Sequence, residues 1–221
     1  MTRGSRSSAK PARASPGVPE AIARSIESHL HEREARRERI HSEARALRRA
    51  AQGVMIHQHE GGNDPTEVST LGRGLVALSR AVRSDGSPDA ALARDAIQEA
   101  VEAILLDAIA RGVALPGPRR LGVEVEPYLL GLGDVVGEVR RRALLQLAAD
   151  KLEAAEASVA LLDRLYQTLM RFDTTRAIVP LKPKQDTARS LLERTRGEVV
   201  LARVHARYRG GSVRRVVEER P

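Results

Sequence analysis

Apolar residues recur at helical spacing along almost the whole chain, and no segment alternates convincingly as a half-buried strand would. From Pro19 to about His59, Ile22, Ile26, Leu30, Ile40, Leu47, Val54 and Met55 stand at broadly helical intervals with no internal proline, which predicts one long first helix dense in arginine. Gly61, Gly62, Asn63, Asp64 and Pro65 break it, and a second helix follows to about Arg83 despite Gly72 and Gly74. Ser87, Pro88 and Asp89 combine a capping hydroxyl, a proline at the first helical position and an acid near the positive dipole end. A third helix is expected from there to Arg111, stopping at Gly112. Pro116 to Arg120 reads as a turn, and Glu124 or Glu126 opens a helix reaching about Leu147.

Between Asp150 and Phe172, Leu152, Ala155, Val159, Leu162, Leu165 and Leu169 mark another helix, whose exit at Asp173 leads into an irregular stretch with Pro180 and Pro183. Asp186 is expected to cap a last long helix ending near Tyr208. The class is therefore all-α with long helices. No composition break argues for a second large domain, so residues 18–209 read as one helical domain between a disordered basic tail, 1–17, and a flexible tail, 210–221.

Charge adds a partner class. The formal net charge is +8 with a pI near 10.6, carried mostly by arginine, whose planar fork suits phosphate oxygens. A polyanion is the natural partner, although arginine and alanine together also fit a GC-rich genome and a merely soluble surface. Aromatics make up 2% of the chain, so base-stacking platforms are scarce and nucleic-acid contact would be mainly electrostatic. Cysteine is absent, which excludes disulfides and thiolate metal sites. No apolar run approaches the roughly 18 residues that span a bilayer, and no secretory core is evident, so a cytoplasmic protein without membrane association is expected.

Two acid pairs are the candidate chemistry. Glu99 and Glu102 stand at i and i+3 on one expected helix, Asp134 and Glu138 at i and i+4 on another, and each pair shares a face. Helical periodicity sets Leu129, Leu132, Val136, Val139 and Ala143 opposite Asp134, Glu138 and Arg141, and sets Ile97, Val101, Ile104, Leu105 and Ala108 opposite Asp95, Glu99 and Glu102. Taken alone this favours two solvated faces, with Glu138 pairing to Arg141 or Arg142. Gly131, Gly133 and Gly137 interrupt the second helix at about 0.5–1 kcal/mol each relative to alanine, which suggests a close approach by another backbone or a ligand. A shared all-oxygen set would suit Mg²⁺ or Mn²⁺, whereas a di-iron bundle needs a Glu-x-x-His pattern that neither helix has. Such an ion can activate water and offset charge on a phosphodiester, which makes nucleic-acid hydrolysis the candidate reaction.

Tyr128 to Arg141, YLLGLGDVVGEVRR, resembles the hallmark helix of the Trax branch of the translin/Trax family and of archaeal translin-type proteins. Gln98 to Ala103, QEAVEA, is similar to the segment that gives Trax its other two acids, and Lys184 to Val200 is similar to the family's last helix. The resemblance covers roughly residues 20 to 208. It implies a bundle of about seven helices assembling into a hollow octamer that takes single-stranded or short duplex RNA inside and cuts it. Because every Trax acid position is filled, it implies a metal-binding and catalytic role for Glu99, Glu102, Asp134 and Glu138, with their solvated faces turned to an internal chamber. The expected function is a Mg²⁺-dependent endoribonuclease acting as a homo-oligomer. The alternative is a non-catalytic, translin-type scaffold for single-stranded RNA or DNA.

Arg45, Arg48 and Arg49 on the first helix, with Arg141 and Arg142 after the acids, are the candidate RNA phosphate contacts. His57 and His59 end the first helix, where a histidine needs no special role, and Tyr128 reads as a packing residue at a helix start.

Overall fold

The structure, a computed structural model, describes residues 18–62, 64–83, 90–172 and 178–218. Among them are seven α-helices and no strand: α1 (Glu20–His59), α2 (Pro65–Arg83), α3 (Ala90–Ala110), α4 (Pro118–Leu121), α5 (Val125–Ala148), α6 (Leu152–Met170) and α7 (Lys182–Glu218). This is the all-α fold expected, with the long first helix. The expected basic tail over 1–17, the helix start at Ser87 to Asp89 and the exit at Asp173 lie outside the described residues.

The chain divides into two units, residues 1–38 and 39–221. The described part of the first is the opening stretch of α1, where Ile22, Ile26 and Leu30 are exposed.

In the second unit the core forms around α5, which packs against α3, α6 and α7, while α2 packs against α3 and α6 against α7. The expected stripe of Leu129, Leu132, Val136, Val139 and Ala143 is buried, and so are Leu130 and Val135. Neighbours on three sides thus bury more of α5 than a one-sided pattern requires. The α3 stripe of Ile97, Val101, Ile104, Leu105 and Ala108 is buried together with Ala93, Ala96, Ala100 and Ala103, whose small side chains bring neighbouring helices close. The rest of α1 contributes Ile40, Ala44, Leu47, Ala51 and Val54, one residue per turn, to the same core.

The helix ends carry the chemistry that stops them. After α1 the Gly62 N–H donates to the His57 carbonyl at 2.9 Å and the Gly61 N–H to that of Gln58 at 3.2 Å, with Gly61 left-handed at φ 81°. This is the Schellman arrangement, which satisfies carbonyls the helix leaves free. The same pair of bonds ends α3 around Gly112 at φ 67°. It also ends α5, where Lys151 donates to Gln146 and Asp150 to Leu147, but there the left-handed residue is Asp150 at φ 55°.

Three boundaries differ from expectation. The expected turn at Pro116 to Arg120 is overlapped by the short helix α4, which runs on to Leu121. The last helix begins at Lys182, so Asp186 lies inside it, where it accepts from the Lys182 ammonium at 2.7 Å and does not cap. Pro183 is compatible with this because a first-turn residue has no intrahelical partner for its missing N–H. At the other end α7 runs past Tyr208 to Glu218. Among the described residues no helix is long and apolar enough to cross a membrane.

Candidate functional site

Two glycines of α5 set the close helix approaches around the acids on α3 and α5. A Cβ at Gly131 would lie 2.8 Å from the Gln98 carbonyl oxygen and 3.0 Å from a Val101 methyl, so only glycine lets α3 approach this closely. A Cβ at Gly133 would lie 2.9 Å from the Lys184 Cβ, so the same holds for α7. The two approaches converge on Asp134, whose carboxylate accepts from the Gln98 side-chain amide on one oxygen and from the Lys184 ammonium on the other. The close approach suggested by the glycines is thus made by two neighbouring helices. Gly137 has nothing within 4 Å of its would-be Cβ and takes no part.

Each of the other acids has its own surroundings. Glu99 pairs with the Arg48 guanidinium at 3.1 Å, and Arg48 also lies 3.7 Å from Asp95. The second oxygen of Glu99 is buried without a hydrogen-bond partner. Glu138 meets the His59 Nε2 at 2.6 Å, with Arg141 3.4 Å from that ring nitrogen. The partner of Glu138 is therefore a histidine from α1 and not, as periodicity suggested, Arg141 or Arg142. Glu102 makes no hydrogen bond or ion pair with any described residue. Burial first, then repulsion from Asp134 and Glu138 and more weakly from Glu99, push its carboxyl from the ordinary 4.5 up to about 7, against the opposing pull of Lys184.

Glu102 therefore lies within electrostatic reach of the other three carboxylates. Among the described residues, however, no three histidine, aspartate or glutamate side chains converge closely enough to ligate one ion. Three of the acids each engage a basic side chain of their own: Glu99 with Arg48, Asp134 with Lys184 and Glu138 with His59. The donor set nevertheless fits a hard divalent cation, being all oxygen, with one buried oxygen on Glu99 unsatisfied and Glu102 pushed toward protonation by burial and, after it, by the neighbouring carboxylates.

Beside Glu138 a cavity of about 350 Å³ opens, walled by Leu106, Ile109 and Leu145 and edged by His59, Arg141 and Arg142. It places guanidinium groups and apolar surface next to Glu138.

No family model matches the chain. An uncharacterized protein of Methanocaldococcus jannaschii is 38% identical over 104 residues, and the match spans about half the length of each, 47% of this chain and 47% of that relative. The structure of AfC3PO is 28% identical with a TM-score of 0.70, over 83% of this chain and 98% of that one. AfC3PO in complex with duplex RNA is 27% identical with a TM-score of 0.69, over 83% and 97%. These neighbours are C3PO (translin/Trax) structures, and this chain is similar to them in fold and, more distantly, in sequence. Apo-NeC3PO, at 17% identity and a TM-score of 0.74 over 85% of this chain and all of that one, shares the fold.

Within this translin/Trax fold the arginines expected at RNA divide. Arg141 and Arg142 are exposed at the rim of the cavity. Arg49 is exposed and makes no hydrogen bond or ion pair with a described residue, and Arg45 is exposed and hydrogen-bonds with His41 of its own helix, at 2.6 Å. Arg48 is part-exposed and already paired with Glu99 and Asp95. Sequence reasoning passed over Gln98, Lys184 and His59 as partners of the acids. His57, too, reaches another helix, meeting Glu67 of α2 at 2.7 Å, and that hydrogen bond raises the imidazole pKa. Tyr128 packs half-buried against the core, as expected of a helix-start residue.

Proposed function

We propose that this chain is a divalent-metal-dependent endoribonuclease subunit, in which Glu99, Glu102, Asp134 and Glu138 hold Mg²⁺ or Mn²⁺ and RNA is hydrolysed at its phosphodiester bonds. The setting is a hollow homo-octamer in the cytoplasm. The observation that carries the reading is Glu102, a carboxyl with no hydrogen bond or ion pair among the described residues, raised to about 7 by burial first and then by three neighbouring acids, because a hard cation relieves both the burial and the repulsion of such a group. When bound, the ion supplies an activated water and charge relief at the phosphodiester. The chain's own residues do the rest. The four acids offer oxygens, Arg141 and Arg142 take phosphate oxygens of the strand, and Leu106, Ile109 and Leu145 give the adjoining cavity an apolar wall. RNA as ligand is supported by the likeness to AfC3PO, which has been seen with duplex RNA, and by a net charge of +8. Single-stranded RNA and short duplexes are both candidate substrates, and single-stranded DNA is a candidate ligand.

A second reading, a non-catalytic nucleic-acid-binding scaffold, is favoured by one feature. Lys184, Arg48 and His59 already engage three of the four acids, as they would in a purely structural polar cluster.

Incubating the purified chain with end-labelled single-stranded RNA and with a short duplex, in Mg²⁺, in Mn²⁺ and in chelator, separates the two. The enzymatic reading expects cleavage only with the metals, abolished by Asp134→Asn and Glu102→Gln while RNA binding persists. Binding without metal-dependent cleavage, or cleavage indifferent to both substitutions, leaves the scaffold reading. Light scattering on the same preparation tests the octamer.

A further inference from the structure

We infer that Lys184 is the resident counter-ion of the acid cluster: it holds Asp134 when no divalent cation is present and must be displaced from that carboxylate for a cation to bind, so it sets the cluster's affinity. The inference rests on the reading of the four acids as a metal site. It adds a residue from a different helix, with a role opposite in sign to that of a ligand.

Three observations bear on it. The Lys184 ammonium sits directly on one oxygen of Asp134, and it is the basic group that offsets the repulsion felt at Glu102. Lys184 therefore acts on two acids at once. Its stem is locked in place, because the Cβ and Cγ pack against the bare backbone of Gly133 where no side chain could stand. An exposed lysine would not be tied down in this way, and holding it loses side-chain entropy that a loose surface pair does not recover. The other oxygen of Asp134 is taken by the Gln98 amide, itself brought in by the bare backbone of Gly131, so both oxygens are occupied by the fold's own donors. A divalent cation brings twice the charge of the ammonium and can replace it at Asp134, but the contact with Lys184 is lost in doing so. Lysine suits the part better than arginine, since its ammonium is a compact point charge on a flexible stem that can swing away.

The test is cation binding, read without reference to catalysis. Mn²⁺ affinity of the full chain is measured by electron paramagnetic resonance of free Mn²⁺ at pH 8, above the Glu102 value, for the wild type, Lys184→Met and Lys182→Met. Methionine keeps most of the stem against Gly133 and removes the charge. Lys182 lies on the same turn of α7 but pairs with Asp186, so Lys182→Met removes the same charge from the same region without touching Asp134. The expected result is that Lys184→Met tightens Mn²⁺ binding by about tenfold or more while Lys182→Met changes it less than about twofold. A merely structural lysine would give the opposite sign, weaker binding on removal. Unchanged or weaker binding in Lys184→Met, or equal tightening in both variants, overturns the inference while leaving the acids as ligands. Absence of Mn²⁺ binding in every variant overturns the metal-site reading itself and the inference with it. A second readout guards against misfolding: the metal-free Lys184→Met protein should melt lower than wild type and recover more on adding Mn²⁺, and a deficit that Mn²⁺ does not narrow also counts against the counter-ion role.

Discussion

Gly133 and Lys184 are fitted to each other so closely that a Cβ on the glycine would stand 2.9 Å from the Cβ and 3.0 Å from the Cγ of the lysine. Alanine at 133 would gain up to about 1 kcal/mol of helix propensity but force α5 and α7 apart, and overpacking of this kind costs about 1–3 kcal/mol. A net loss of stability is expected for Gly133→Ala, and a larger one for Gly131→Ala, where the obstacle is the Gln98 backbone carbonyl and cannot swing aside. Gly137→Ala meets nothing and should gain up to about 1 kcal/mol. Urea denaturation at constant pH gives all three signs, and a destabilised Gly137→Ala would contradict the geometry.

Glu102 makes stability depend on pH in an unusual direction for a carboxylate. Its folded value is about 7 against an ordinary 4.5, so between these the folded chain binds more protons than the unfolded one. Stability of the metal-free protein should therefore fall as pH rises through this window, and Glu102→Gln should flatten the profile and stabilise the protein at pH 8. Because the group is partly open to solvent the gain is on the order of 1–2 kcal/mol, less than the full shift implies. Unfolding curves from pH 4.5 to 8 in chelator give the slope. A profile rising with pH in the wild type alone would be the wrong outcome.

Arg140 joins α5 to α7 through three hydrogen bonds, one to Thr195 at 2.7 Å and two to the Glu198 carboxylate at 2.9 and 3.0 Å. Its side chain is largely buried. Arg140→Ala leaves Glu198 without this partner and is expected to cost about 2–3 kcal/mol, and Arg140→Lys should recover only part because an ammonium cannot engage both carboxylate oxygens in the same fork. Chemical denaturation of the pair decides it, since equal stability of the lysine variant and the wild type would remove the fork from the account.

The end of α5 is stopped by Asp150 in a left-handed conformation that glycine adopts more readily. Asp150→Gly should stabilise the protein by about 0.5–1 kcal/mol, which for a domain of this size raises the melting temperature by roughly 1–4 °C. Calorimetry is sensitive enough to detect the shift, and a lower melting temperature would mean that the aspartate side chain contributes more than its backbone conformation costs.

The arginines differ in what they are free to do. Arg142, exposed at the cavity, should lower the salt dependence of RNA binding by about one unit of log–log slope when changed to alanine. Arg48, held by Glu99 and Asp95, should change that slope much less. Titrations of both variants at several salt concentrations separate them, and identical slopes would mean that the pairing of Arg48 does not withhold it from the strand.

How far the sequence could be read follows from the range of the interactions involved. The long helices were legible because their burial pattern repeats every turn, and Gly61 and Gly112 were legible as stops because a left-handed residue is a local requirement. The start of α7 was not, because Pro183 looks like a breaker until it is known to sit in a first turn. The clustering of the acids on α3 and α5 could be suspected from their spacing, from Gly131 and Gly133 and from the family resemblance. Their partners could not, since Lys184, His59 and Arg48 arrive from α7 and α1 through tertiary packing. One signal was available for Lys184: the chain has only four lysines among many arginines, and two of them flank Pro183.

The Schellman turn after α1 has a second office. Gly61 and Gly62 end the helix, and they also form part of the wall of the cavity into which the last turn presents His59. A stop signal and a cavity wall share the same two residues, so the helix end cannot be lengthened, shortened or stiffened as a matter of stability alone. Any variation there is at the same time variation in the shape of the cavity.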